Sequence, residues 1–500
     1  MRTIYFLLIL LATTYVSATN YYVSSLYGDD SNNGLTINNP FATIQYACEQ
    51  ISAGDTVFVA DGTYAGFDFR DNNGTANAPI VFKAMTNTVV LNQNGPQRDD
   101  IINIEECNYV VIDGFTTNDA TGGGNGIRIV LSNHCVVRNC MCNNNAERGI
   151  FTGFTDDILI ENNKCSNSVD EHGIYVSNSS DRPIIRYNEC YGNNGCGIHM
   201  NGDLSTGGDG TISDAQVYGN IVYDNNGGGG INMDGVENPL VYNNLIYNNH
   251  SCQGIVLFGE DGAIVSHGAK IYNNTIIVPS DGRWGILVKD GANINTEIYN
   301  NIIINNHSFR GCVSIEDDTD FSCDYNIINN RMSNDDGDNV MSLSDWQDLG
   351  FGTHSLVANE MSDIFIDVDN DDFHLKDNSQ AINTGTNNVN TVVTDDIEQK
   401  NRPIGTGYDI GAYEYGTATN LININKNTFN IYPNPATNNL QLVINNEQLI
   451  NTDIVIYNIA GQIVRQFKIQ NSEFRIQIDN LQTGVYFLRI GTISKKLIIK

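Results

Sequence analysis

Between residues 100 and 330 the apolar positions recur in phase. One pattern is apolar-x-Asn, in VVRNC, LIENNK, IIRYNE, QVYGNI, LVYNNL, KIYNNT and EIYNNI. Aligning Asn139, Asn163, Asn188, Asn220, Asn244, Asn274 and Asn301 gives separations of 24, 25, 32, 24, 30 and 27 residues. Asp113 fits one turn earlier and Asn326 one turn later. A second pattern, Gly-Ile followed by alternating residues, keeps the same phase in NGIRIV, RGIFTG, HGIYVS, CGIHMN, GGINMD, QGIVLF and WGILVK. Each repeat thus carries at least two short strands separated by Gly- and Asn-rich corners. Asn suits such corners because it tolerates left-handed backbone angles. A β-sandwich would show turn signals about every 8–12 residues without this recurrence. The pattern predicts an all-β solenoid, a right-handed parallel β-helix whose coils pair at about 4.8 Å spacing. Its ends need caps. Residues 41–51 (FATIQYACEQI) have helical apolar spacing and are expected to cap one end, and the irregular stretch 331–415 the other.

Strand alternation sorts the Gly-Ile segments into faces. With Ile inward, two columns point out. The first is Arg128, Phe151, Tyr175, His199, Asn232, Val256 and Leu287; the second is Val130, Gly153, Ser177, Asn201, Asp234, Phe258 and Lys289. Both become polar together at Tyr175/Ser177, His199/Asn201 and Asn232/Asp234, with Glu171 and His172 entering from the corner. The two long coils hold insertions at 202–214 and 259–268, expected to wall a groove on this face. A groove along a solenoid suits a linear polymer.

The eleven cysteines all fall between Cys48 and Cys323. Cys140, Cys165 and Cys190 follow the repeat period, which predicts a stacked ladder of small buried side chains. No C-x-x-C pair points to zinc. DVDND (367–371) lacks the Glu of an EF-hand and reads as an acidic turn. The net charge is -32. Residues 426–500 carry eight Lys and Arg against four Asp and Glu, a net of +4, which leaves -36 for the rest. A body this acidic excludes nucleic acid as a partner. A bound cation such as Ca²⁺ could reverse the field locally. Residues 1–18 have a basic start, an apolar run too short to span a bilayer, and small residues at Val16-Ser17-Ala18, the pattern of a cleaved export signal. No membrane span is expected, and a monomer is.

Residues 21–64 resemble the opening of bacterial β-helix proteins of the pectate-lyase-like superfamily. DNSQAINTG with NRPIGTGYDIGAYEY resembles the segment that closes such domains. From residue 427 the chain reads as short alternating strands, a small β-sandwich. Tyr432-Pro433-Asn434-Pro435, Asn458-Ile459-Ala460-Gly461, Gly484-Val485-Tyr486 and the terminal KKLIIK closely resemble the C-terminal sorting domain of the type IX (Por) secretion system of Bacteroidetes. The expected organisation is therefore signal peptide 1–18, β-helix 19–416, linker 417–426 and sorting domain 427–500. The resemblance implies passage through the type IX machinery to the cell surface or medium.

Fold, groove and export route together point to a carbohydrate-active protein. Eliminative cleavage of a uronate-containing polysaccharide is the leading expectation. It needs a group to neutralise the carboxylate, a base for the C5 proton and an acid for the leaving oxygen. His199 and Tyr175 are the candidates for proton transfer. Lys289 is an alternative base, a role Lys fills in several lyases that this chain resembles in fold. Arg128, His172, Asn201, Asn232, Asp234 and Phe258 are the candidate substrate-binding residues. The calcium-binding acidic cluster of such lyases has no residue-for-residue match. A glycoside hydrolase pairing Asp234 with Asp203 or Asp209, and a glycan-binding surface protein without catalysis, are the alternatives.

Overall fold

The computed structural model describes residues 18–416 continuously and, between 429 and 499, the strands with a few adjoining residues. The export signal expected at 1–18, save its last residue, and the linker expected at 417–426 lie outside the described residues. The chain forms two compact units, Met1–Gly416 and Thr417–Lys500.

The first unit is a parallel β-helix. Three sheets of 12, 11 and 12 strands run its length, each built by the same strand of successive coils. A representative coil passes through Ile174–Ser177, Ile184–Arg186 and Glu189–Tyr191 before Ile198–Asn201 begins the next. Each coil therefore has three strands, one more than the two the motifs mark. Ile198, Met200, Val217 and Val222 are fully buried, as the alternation requires. The central cluster continues from Val23 to Trp346.

The corners divide labour between adjacent residues. Asn162, Tyr187, Gly219, Asn243, Asn273 and Asn300 take left-handed backbone angles. The residue after each is the buried Asn of a ladder. Asn163 donates from its backbone N and Nδ2 to Asn188 Oδ1, both at 3.0 Å, and from Nδ2 to Val137 O. Asn188, Asn220, Asn244, Asn274 and Asn301 repeat this to Asn326. Two aligned positions are corrected. Asn139 takes the left-handed turn, and Cys140 holds the ladder position, its N–H donating to Asn163 Oδ1. Asp113 pairs with Arg138, two residues short of that position. The cysteine ladder shifts likewise: Cys142, not Cys140, pairs with Cys165 and then Cys190. All eleven cysteines are free and buried.

The N-terminal cap helix is Ile44–Cys48, shorter than expected, with Thr43 accepting from Tyr46 N. At the other end Leu343–Asp348 starts on a Ser342/Asp345 capping box, and fully buried Trp346 packs on Phe321 and Phe351. The closing segment does more than cap. It returns along the flank, where Asn243, Asn273 and Asn300 donate to the carbonyls of Asp395, Asp409 and Thr386. A fully buried Arg402–Glu414 pair at 2.7 Å holds it.

The second unit has two antiparallel sheets. Phe429–Tyr432, Asn439–Ile444 and Glu473–Gln477 form one. Ile463–Lys468, Asp453–Asn458, Gly484–Ile490 and Ile493–Ile499 form the other. Leu440, Leu442, Ile454, Ile456, Leu488 and Leu497 fill one core between them, a β-sandwich.

Candidate active site

The 11-stranded sheet carries the predicted columns in register. Arg128, Phe151, Tyr175, His199, Asn232, Val256 and Leu287 are successive partners on adjacent strands. Ser177, Asn201, Asp234 and Phe258 form the second column. Lys289 follows the strand that ends at Val288.

At the centre Tyr175 stacks on His199, with ring centroids 4.7 Å apart and planes at 18°. His172 stands perpendicular to His199, at 4.6 Å and 89°. Its Nδ1 lies 2.9 Å from the backbone N of Cys196, and its Nε2 lies 3.0 Å from Nδ1 of His199. The Nε2 of His199 is shielded from water and has no hydrogen-bond partner. Burial, the neighbouring His199 and the Arg148 charge hold His172 down to about 2. Burial and Arg148 hold His199 down to about 3. Both imidazoles are therefore neutral at neutral pH. Burial raises the Tyr175 phenol above its usual range, against the opposing pull of Ser177 and Arg148.

Arg148 was missed by the two-column reading. Its guanidinium lies 5.0 Å from the Tyr175 ring centroid and 5.1 Å from that of Phe151, within cation–π range. Glu147 and Glu171 pair with it. Cys196 was missed too. Arg148, His172 and Cys196 each precede the Gly of a Gly-Ile strand, a third in-phase column visible in the sequence. The glycines are obligatory. A Cβ at Gly149 would lie 2.6 Å from the carbonyl of Gly173, and one at Gly173 would lie 2.7 Å from that of Gly197.

Two cavities flank this centre on the same face. One, of about 700 Å³, is lined by Arg98, Arg128, Arg148, Asn125, Glu147 and Phe151 among others. The other, of about 480 Å³, is lined by Asn232, Phe258, Arg283, Leu287 and Lys289 among others. Arg128 is not free in its cavity: it donates to Asn103 and pairs with Glu105 at 2.9 Å. Lys289 sits 3.5 Å from Asp336. It is three coils from the His199 row, about 14 Å at strand spacing. The structure therefore brings His199, Tyr175 and His172 together and leaves Lys289 apart from them, in the second cavity.

Asn201 and Asp234 face the insertions. Asp234 accepts from the backbone N–H groups of Glu260, Asp261 and Gly262. Asn201 donates to Asp261 and accepts from Asp203 N. The two insertions bond to each other, Leu204 N to Asp261 O and Ala263 N to Gly210 O. They form one joined wall along the strand ends, not two walls flanking a groove. Asp203 and Asp209 likewise fix loop turns, through Ser205 N and Thr211 N.

His172, Cys196 and His199 are close enough to hold a metal ion. The hydrogen bonds argue otherwise. Nδ1 of His172 accepts a backbone N–H, so its proton is on Nε2, the atom that would have to ligate. Four carboxylates of this face are already engaged. Asp68 and Asp100 accept from Asn103 and Asn125, Glu105 pairs with Arg128, and Asp234 is saturated by backbone N–H groups.

Comparison with known proteins agrees with this architecture. Residues 21–175 match the family model of the Pel9A-like right-handed β-helix region. Residues 430–500 match that of the secretion system C-terminal sorting domain. The crystal structure of pectate lyase Pel9A superposes with a TM-score of 0.52 at 18% identity, over 80% of this chain and 97% of that one, which shows the shared fold. β-Agarase A of Zobellia galactanivorans is 37% identical over 71 residues, 14% of this chain and 13% of that protein. The uncharacterized protein YwoF of Bacillus subtilis is 32% identical over 105 residues, 20% of this chain and 22% of that protein. The chain thus covers under a quarter of either relative. No helix among the described residues is long and apolar enough to cross a membrane. The chain joins a right-handed parallel β-helix, of which residues 21–175 match the Pel9A-like model, to a C-terminal sorting domain that indicates type IX secretion to the cell surface or the extracellular space.

Proposed function

We propose that the β-helix is a polysaccharide lyase that cleaves a uronate-containing polymer by β-elimination in the groove along its 11-stranded sheet. One observation carries this reading: an acidic body places cationic side chains on either side of a stacked Tyr175–His199 pair. A uronate carboxylate at the centre meets Arg148 and the imidazole of His199, which withdraw charge and acidify the C5 hydrogen. Tyr175, as phenolate, takes the C5 proton, the C4–C5 double bond forms as the C4–O bond breaks, and the resulting phenol returns that proton to the leaving oxygen. Arg98 in one cavity, and Arg283 and Lys289 in the other, grip carboxylates of neighbouring sugars, with Phe258 and Asn232 beside them, while Arg128 stays with Asn103 and Glu105. The carboxylates named for hydrolysis all serve loop turns, which favours elimination over that alternative.

The test incubates the full chain with a panel of acidic and neutral polysaccharides. Ultraviolet absorbance of the unsaturated uronate and reducing ends are followed together, with and without added Ca²⁺. Both signals should rise on an acidic polymer, and Tyr175→Phe should lower the rate about a hundredfold or more. Reducing ends without absorbance would replace elimination by hydrolysis. Silence across the panel would leave a glycan-binding surface.

A further inference from the structure

We propose that His172 is a positioning residue that locks His199 in one tautomer, Nδ1 accepting and Nε2–H donating, so that the groove offers a hydrogen to an anionic sugar oxygen and takes none away. The second half rests on the reading of the groove as a uronate-binding cleft; the tautomer itself does not.

The hydrogen bonds run in one direction only. The backbone N–H of Cys196 can only donate, so Nδ1 of His172, 2.9 Å away, accepts. A neutral His172 then carries its proton on Nε2, 3.0 Å from Nδ1 of His199, and donates it there. Nδ1 of His199 accepts in turn, which leaves the His199 proton on Nε2. Protonating His172 would set an N–H against the N–H of Cys196. Protonating His199 would set one against the N–H of His172. The stacked Tyr175 ring and the perpendicular His172 ring keep the imidazole from turning away. The charged groups around the pair are the Arg148 guanidinium and the Glu171 carboxylate, whose Oε2 lies 3.5 Å from Nε2 of His172.

The chain thus ends on a donor without an acceptor, the Nε2–H of His199. A buried polar group in that position is satisfied by a ligand oxygen. Nε2 is shielded, so the oxygen reaches it as neighbouring side chains give way. A carboxylate that competes with Glu147 and Glu171 for Arg148 is suited to that exchange. With His199 fixed as donor, proton abstraction falls to Tyr175, whose phenol is raised by burial. The rate should therefore climb with pH through the neutral and alkaline range, without a break near the ordinary histidine value of 6.5.

The test is long-range proton–nitrogen NMR of the full chain labelled in its histidine rings, with His172→Gln and His199→Gln used for assignment. Both rings should show the Nε2–H pattern and stay neutral well below 6.5. A glutamine at 172 can accept from Cys196 N and donate to His199, so His172→Gln should keep the His199 pattern and hold turnover within about tenfold. His172→Phe removes both bonds. It should let the two His199 tautomers exchange and lower kcat about a hundredfold with little change in KM. If His172→Phe does not fold, the spectrum of the unmodified chain still decides. An Nδ1–H pattern at His199, or its titration near 6.5, would overturn the proposal even in an active enzyme. The expected tautomers in a chain that cleaves no polymer would uphold the lock and sink the lyase reading.

Discussion

Two imidazoles that stay neutral inside the folded protein make it sensitive to acid at a definite place. Unfolded, His172 and His199 titrate near 6.5; folded, burial and Arg148 hold them to about 2 and about 3. Below 6.5 the unfolded chain binds protons that the folded one refuses. The stabilisation is fully present above 6.5 and is lost as the pH falls toward 3, by on the order of 1.4 kcal/mol per pH unit for each ring. The His172→Gln/His199→Gln double variant should lose less stability than the parent between about pH 6.5 and pH 4, by urea unfolding at each pH. Equal losses would mean that the rings titrate normally. Tyr175, His199 and Asn232 were legible because each follows a Gly-Ile pair, and strand alternation alone turns such a residue outward. Arg148 and Cys196 were legible in principle, since they precede the same glycines. The engagement of Asn201 and Asp234 was not. Which backbone N–H groups meet a side chain depends on the path of residues 202–214 and 259–268, and those insertions break the period.

At the scale of the coil, the repeated Asn-Asn pair hides two different requirements. Asn248 takes a left-handed angle at an exposed corner, and Asn249 is a buried ladder residue. The Oδ1 of Asn249 accepts the N–H of Asn225 and its Nδ2, and its own Nδ2 reaches Val222 O. Substitutions at these neighbours should therefore differ sharply. Asn248→Gly suits the backbone angle and should change stability by no more than about 0.5 kcal/mol. Asn249→Ala strands the buried N–H of Asn225, at a cost of about 1–3 kcal/mol before the loss of packing. Shifts of the urea midpoint would show it; equal shifts would deny the ladder its role. The ambiguity also explains the one-residue error at Asn139. Sequence spacing marks a corner but does not say which of two adjacent positions turns and which stacks. Only the phase of the flanking strands decides, and Val136–Arg138 pairs so that Cys140, not Asn139, falls in the ladder. Cys140 stood in for Cys142 for another reason: the coil from Cys142 to Cys165 has 23 residues, not the 25 that separate Cys165 from Cys190. The third strand of each coil stayed hidden because no residue type recurs along it as Gly-Ile and Asn do for the other two: it begins at Met141, Lys164, Glu189, Ile221, Leu245 and Thr275 in successive coils.

Across the whole molecule, export and chemistry are written in different parts of the chain and with different legibility. The tail could be read almost residue by residue, because its motifs at 432–435, 458–461 and 484–486 fall within one family model that matches residues 430–500. The activity could not, because one solenoid hosts many chemistries and the groove residues differ with each. The two units also differ in charge, with +4 on residues 426–500 against -36 on the remainder. Each has its own core: the main body cluster runs from Val23 to Trp346, and the tail cluster lies wholly between Ala436 and Ile499. Deleting residues 427–500 therefore removes no side chain from the body's core. The truncated chain should fold, with the same urea midpoint as the body of the full chain, yet remain in the periplasm of the producing cell while the full chain reaches the surface or medium. Fractionation with an antibody against the body separates these fates. A folded truncated chain found outside the cell would show that the body carries its own export signal. A truncated chain that fails to fold would show that the tail supports the β-helix, contrary to its separate core.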